Sequence, residues 1–342
     1  MTIKVESTQG PGYDTSAPRR RSSKVDTIRR AYGFDDVSLA PGTTTVEPAD
    51  VDTSVDFAGL SLDIPVLAAS MDAVVDVRSA GVLAGLGGLA VMNLEGVQTR
   101  YEDPAPVLER IATAPADETQ AVLSAAYAAP IAEDIVAARI GQLHDAGSPA
   151  VISATPAAAR RWGPFCAEAG ADVFLVQSQV SSAQHLASGY EPLELGEFTR
   201  LMGIPVVAGN TTSYEAAAAL MQQGIAAIFV GVGPGAACTT REVLGIGVPQ
   251  VTAIADVAAA RDEHFERTGV YVPVVGDGGM RRGGEMAKAI AAGADLLMLG
   301  SPLARATEAP GHGTNWGMAA PSPTLPRGTR IDVGTAGTME QI

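Results

Sequence analysis

The sequence predicts an α/β protein, a single (β/α)8 TIM barrel. Two observations carry this reading: eight short runs that are apolar almost throughout, and helical stretches between them. A third is size. The chain has 342 residues, 46% hydrophobic and 18% charged, enough for the large core of one barrel. Unbroken apolar runs suit parallel strands covered on both faces, whereas a strand with one wet face alternates. A doubly wound open sheet is the rival arrangement of the same elements.

In chain order, residues 1–30 are polar and rich in Gly, Pro, Ser and Arg. They read as a mobile N-terminal arm, or as an arm packed on a neighbouring subunit. Residues 31–342 read as the barrel domain. Its eight runs are Ile64–Ser70, Gly87–Asn93, Pro149–Thr155, Ala171–Ser178, Ile204–Asn210, Ala226–Val232, Val272–Gly279 and Asp295–Ser301. Residues 101–148 read as two or three helices broken near Pro104, Pro115 and Pro130, too few for an inserted domain of about 100 residues. Tyr214–Gln223 and Glu285–Ala292 carry the helical period, and each is followed by a glycine suited to a C-terminal cap, Gly224 and Gly293.

Composition narrows the function. A formal charge of −15 lacks the basic stripe of a nucleic-acid surface, although backbone N–H groups can still hold a phosphate. No apolar run approaches the ~20 residues that span a bilayer. No apolar stretch follows Arg19, Arg20 and Arg21, so no secretory signal is read and a cytoplasmic location is expected. Two cysteines are too few for a disulfide framework or a structural zinc site, and no His/Cys/Asp cluster has metal-ligand spacing.

In this fold the site forms where strands end. The sixth run ends in Gly231-Val232-Gly233-Pro234-Gly235-Ala236-Ala237-Cys238-Thr239-Thr240-Arg241, a loop of high backbone freedom that delivers a thiol to the mouth. A thiol there can attack an electrophilic carbon, its thiolate favoured by N–H groups and a cation such as Arg241; the alternative is an inert cysteine. Cys166, on a helix around Trp162–Ala169, reads as core. The seventh run ends in Gly276-Asp277-Gly278-Gly279 and the eighth in Leu299-Gly300-Ser301. Loops after strands seven and eight commonly bind phosphate, and Asp277 beside them can accept two ribose hydroxyl protons. Asn210 reads as a polar contact or a helix N-cap, and Met71-Asp72 is equally open. His144, His185 and His264 fall on expected helices, which leaves His312 as the histidine nearest the mouth.

The loop Gly231–Arg241 followed by Gly245-Ile246-Gly247-Val248-Pro249-Gln250 resembles the active-site loop of the IMP dehydrogenase/GMP reductase family. So do Tyr32-Gly33-Phe34-Asp35-Asp36-Val37, Ala69-Ser70-Met71-Asp72, Ala208-Gly209-Asn210, Gly276–Gly279, and Gly300-Ser301 leading to Glu308-Ala309-Pro310-Gly311, over roughly residues 32 to 335. The resemblance implies that Cys238, with Thr240, is catalytic and that Cys238 attacks C2 of a purine mononucleotide (GMP, IMP or XMP). It implies nucleotide contacts from Met71, Asn210, Gly235, Asp277, Gly278, Gly279, Gly300, Ser301, Gly317, Met318 and Arg327. It also implies a nicotinamide cofactor, NADPH or NAD(H), against Gln177 and Ser178. Potassium on the carbonyls of Gly233, Gly235 and Cys238, and a homotetramer or octamer, complete the expectation.

Two features separate members of the family, and three positions of this chain depart from the family's pattern. The tandem CBS insertion after the second strand is missing, and so is the flap whose Arg-Tyr pair activates water. The chain runs from Asn315-Trp316-Gly317-Met318-Ala319 almost directly to Leu325-Pro326-Arg327-Gly328. Arg327 stands where an acidic partner of the catalytic threonine is expected, and Gln177 where an aspartate contacts the nicotinamide ribose. Met92-Asn93-Leu94-Glu95 lacks the expected lysine or histidine. The lost flap favours reduction of GMP to IMP. IMP dehydrogenation to XMP with NAD, and a non-catalytic purine-nucleotide-binding regulator, are the alternatives.

Overall fold

The computed structural model describes residues 28–317 and 330–342. The arm expected over 1–30 therefore lies outside the described residues except for its end, where Arg29 makes a bidentate ion pair with Asp256. The nucleotide contacts expected from Met318 and Arg327 also lie outside them.

The elements run β1 (Val55–Phe57), β2 (Leu60–Leu62), β3 (Val66–Ala68), α1 (Val77–Gly85), β4 (Leu89–Asn93), α2 (Ala105–Thr113), α3 (Thr119–Ala126), α4 (Glu133–Asp145), β5 (Val151–Ala154) and α5 (Pro156–Glu168). There follow β6 (Val173–Gln177), α6 (Leu195–Leu201), β7 (Val206–Thr211), α7 (Tyr214–Met221), β8 (Ile228–Val230), α8 (Thr240–Val243) and α9 (Gln250–Thr268). The last are β9 (Val274–Asp277), α10 (Gly283–Ala291), β10 (Leu296–Leu299), α11 (Ser301–Ala304), β11 (Thr314–Asn315) and β12 (Ile331–Asp332).

Strands β3 to β10 are the eight apolar runs, and each pairs in parallel with the next. The pair that decides the topology is β10 with β3, Leu297 opposite Val66, which closes the sheet into a barrel and removes the open-sheet alternative. Alternate residues face inward: Leu67, Leu89, Val91, Val151, Val173, Leu175 and Val275 fill the barrel interior. Their neighbours Ala68, Ala90, Met92, Ile152, Phe174 and Val274 pack under the helices. Both faces are thus dry, which is why the runs do not alternate in polarity.

The sequence reading missed one barrel feature. The hairpin β1–β2 lays Phe57 against Phe229 edge to face, ring centres 6.3 Å apart, within the interior cluster. The chain between β4 and β5 forms the three helices α2 to α4, with a satellite core around Ile111, Leu123 and Trp316. Among the described residues no helix is long and apolar enough to cross a membrane.

Candidate active site

The C-terminal strand ends open into one cavity of about 2430 Å³. The described residues that the family resemblance implies for the site line it: Cys238, Thr240, Met71, Asn210, Gln177, Ser178, Asp277, Gly317, and the glycines and serine of the turns after β9 and β10. The carbonyl-bearing Gly233 and Gly235 do so too.

The thiol loop is built by close backbone approach. Gly231 sits at φ +145, and a Cβ there would lie 2.2 Å from the Asp277 carbonyl oxygen and 2.9 Å from Gln250 Nε2. Only glycine allows β8 to pass this close to β9. Gln250 then ties the two strand ends, its Nε2 donating to the carbonyls of Val230 at 2.8 Å and Asp277 at 3.1 Å. Arg241 clasps the loop by donating to the carbonyls of Val232 at 3.4 Å and Val248 at 2.7 Å. Its guanidinium is thereby engaged in holding the loop.

Cys238 is exposed at the loop's end, its sulfur 3.1 Å from Oγ1 of the buried Thr240 at the start of α8. An exposed thiol beside a hydroxyl can act on a ligand. Cys166, by contrast, is fully buried on α5, and burial pushes its thiol up to about 12, so it stays protonated and inert.

Strands β6, β7 and β9 bring three polar ends together. Asn210 Nδ2 donates to Asp277 Oδ2 at 2.6 Å, and Gln177 Nε2 donates to the same oxygen at 3.2 Å and to Asn210 Oδ1 at 3.0 Å. Ser70 and Ser153 donate to Gln177 Oε1 at 2.9 and 3.4 Å. Asn210 is thus a polar contact; the N-cap of α7 is Ser213. Burial pushes the Asp277 carboxyl up to about 6, while the hydrogen bond from Asn210 pulls it back towards the ionised form.

At the other side of the mouth, Gly278 and Gly279 take left-handed conformations in succession, φ +80 and +82, against Pro234. The N–H of Gly278 donates to the Met298 carbonyl at 3.3 Å. Ser301 opens α11, and Asn315 Nδ2 donates to its hydroxyl at 3.1 Å. Glu285 of α10 accepts from the backbone N–H groups of Arg281 and Arg282, at 2.5 and 3.1 Å, and pairs with the Arg281 guanidinium. Burial nudges the Glu285 carboxyl upward, but the Arg281 bonds win and hold it below its ordinary value.

Two histidine expectations are corrected. His185 lies on the loop between β6 and α6, not on a helix, and lines the cavity with Tyr190, to which it is hydrogen-bonded at 2.7 Å. Gly189 and Pro192 break helical continuity there. His312 is exposed at φ +48 and does not line the cavity. One further residue, Tyr127, escaped the sequence reading. Tyr127 donates to Asp72 at 2.5 Å and accepts from the Trp316 indole at 2.9 Å, tying α3 to the segment that carries Gly317.

Comparison with known proteins agrees with this geometry. Residues 31–317 match the family described as "IMP dehydrogenase / GMP reductase domain". The chain belongs to the IMP dehydrogenase/GMP reductase family of oxidoreductases. Its relatives include an uncharacterized oxidoreductase of Mycolicibacterium smegmatis, 38% identical over 92% of this chain and 87% of that protein. Inosine-5′-monophosphate dehydrogenase of Methanocaldococcus jannaschii is 30% identical over 84% of this chain and 75% of that protein. Among solved structures, an IMP dehydrogenase/GMP reductase-like protein of Corynebacterium glutamicum superposes with a TM-score of 0.85 at 35% identity, covering 92% of this chain and 84% of that one.

Proposed function

We propose that the enzyme reduces GMP to IMP with NADPH and releases ammonia, using Cys238 as nucleophile. The observation that carries this reading is the exposed Cys238 thiol beside Thr240, in one cavity with Asp277, in a chain whose segment from Gly317 to Arg330 contains no tyrosine to pair with an arginine and activate water. An adduct at purine C2 that meets no activated water is not hydrolysed efficiently, which disfavours XMP as product.

Asp277 accepts the ribose hydroxyls, and the N–H groups of the turns at Gly279 and Gly300-Ser301 take the phosphate. Cys238 as thiolate adds to C2, forming the C–S bond; the 2-amino group then leaves as ammonia after gaining a proton. Thr240 supports the thiolate by donating its hydroxyl. The cavity exceeds the roughly 300–1,000 Å³ of a single-ligand pocket, so a second ligand fits beside the nucleotide. A nicotinamide held against Gln177 and Ser178 would supply the hydride that C2 takes up as the C–S bond breaks, which frees IMP and returns Cys238 as the thiolate. The loop from Gly231 to Arg241 contains no carboxylate and offers the carbonyls of Gly233, Gly235 and Cys238, a donor set suited to potassium rather than a divalent ion.

One absorbance experiment at 340 nm tests the reading. GMP with NADPH should give a falling signal; a rising signal from IMP with NAD, and none from GMP, would assign the dehydrogenase activity instead.

A further inference from the structure

Gln177 is among the most deeply buried polar groups at the mouth, 4% exposed, and both ends of its amide are committed to protein partners. The serine hydroxyls of Ser70 and Ser153 fix its oxygen on one side. Its nitrogen is thereby turned to Asn210 and Asp277 on the other. Asp277 receives both amides on the same oxygen, Oδ2, and its Oδ1 makes no hydrogen bond among the described residues. The carboxylate is therefore gripped by one oxygen, with the second left for a ligand in the cavity it lines. A carboxylate in place of the Gln177 amide would set two like charges against each other and remove a donor.

We infer that Gln177 is a positioning residue that acts through Asp277: it fixes the carboxylate so that Oδ1 meets ribose hydroxyls, and so makes the site select ribonucleotides over their deoxy analogues. This rests on the reading of Asp277 as the ribose acceptor. The groups against the carboxyl from neighbouring elements are neutral amides: Gln177 from β6, Asn210 from β7 and, on its backbone carbonyl, Gln250 from α9. The same cavity is also lined by Asp35, Asp36, Glu95, Arg160, His185, Glu191, Cys238, Arg241, Arg281, Glu285 and Arg330, and among the described residues none of these is hydrogen-bonded to the carboxyl.

The test uses the full-length protein and calorimetric titration with GMP and 2′,3′-dideoxy-GMP. The wild type should prefer GMP by about tenfold or more, the scale of hydrogen bonds to a charged acceptor. Gln177→Met should cut that preference to about threefold or less, with affinity for the dideoxy analogue nearly unchanged. Gln177→Glu keeps the side-chain length and the acceptor for both serines, and should lose the preference as well. In the unliganded protein, carbon-13 NMR of the Asp277 carboxyl, assigned by its absence from Asp277→Asn, should show its midpoint moving upward in Gln177→Met. A wild type without ribose preference overturns the ribose reading and this inference with it. A wild-type preference that survives in full in both variants, or a carboxyl midpoint that does not move, overturns the inference alone; a merely structural Gln177 would weaken both ligands equally.

Discussion

Asn210 donates its side-chain amide to Asp277 at 2.6 Å although strand β8 lies between their strands. The barrel's curvature lets β7 and β9 meet across its mouth, and the contact holds a carboxyl where burial opposes its charge. Burial raises the Asp277 carboxyl to about 6, and the Asn210 amide limits the rise. The folded chain therefore holds this proton up to about pH 6, whereas an unfolded chain releases it near 3.8. Stability falls as pH climbs through that window, and the whole penalty, on the order of 3 kcal/mol at most, is present above it.

Asp277→Asn should accordingly raise the melting temperature at pH 7.5 and leave it unchanged below about pH 4, where both side chains are neutral. Scanning calorimetry at the two pH values checks this. An unchanged or lower melting temperature at pH 7.5 would contradict a destabilising buried charge. The same variant should bind GMP at least about tenfold more weakly, because an ionised acceptor is lost.

Ligand affinity should follow the same group. Guanosine is the right probe, since a phosphate titrates near pH 6 on its own account. Its affinity should climb as pH rises through about 6 and level off above, as the carboxylate that we propose as acceptor of its ribose hydroxyls forms. Affinity independent of pH from 5 to 8 would remove Asp277 from the ribose.

The two cysteines should behave in opposite ways. A thiol reagent at pH 8 should label Cys238 rapidly in the native chain and Cys166 only after denaturation, because one is exposed and the other fully buried. Cys238→Ala should keep GMP affinity within a few-fold and lose at least about a thousandfold in turnover. Thr240→Val should lose roughly tenfold to a hundredfold, with labelling of Cys238 slowed.

Gly231→Ala places a methyl group 2.2 Å from the Asp277 carbonyl oxygen at φ +145. Neither strand can yield without displacing Gln250, so a cost of about 2–4 kcal/mol is expected in urea denaturation. A loss below about 0.5 kcal/mol would mean that the strands are not held this tightly.

Much of this was legible in the sequence because each signal was local. Every barrel strand announced itself as an unbroken apolar run, since helices dry one face and the barrel interior the other. Cys238, Asp277 and the paired glycines stood out because they end such runs. The β1–β2 hairpin was missed because its three-residue strands are too short to show a period. The hydrogen bond from Gln177 to Asp277 was invisible for a different reason: the partner is a hundred positions away, and a neutral amide gives no charge pattern. His185 was misplaced because the residues around it are polar enough to pass for a solvated helix.

The most direct test of the central claim is ammonia release measured alongside NADPH oxidation when the enzyme meets GMP. One ammonia and one IMP per NADPH consumed is expected, at about 1 s⁻¹ or faster, and none with Cys238→Ala. NADPH left unoxidised in the presence of GMP, with XMP formed from IMP and NAD, would contradict it.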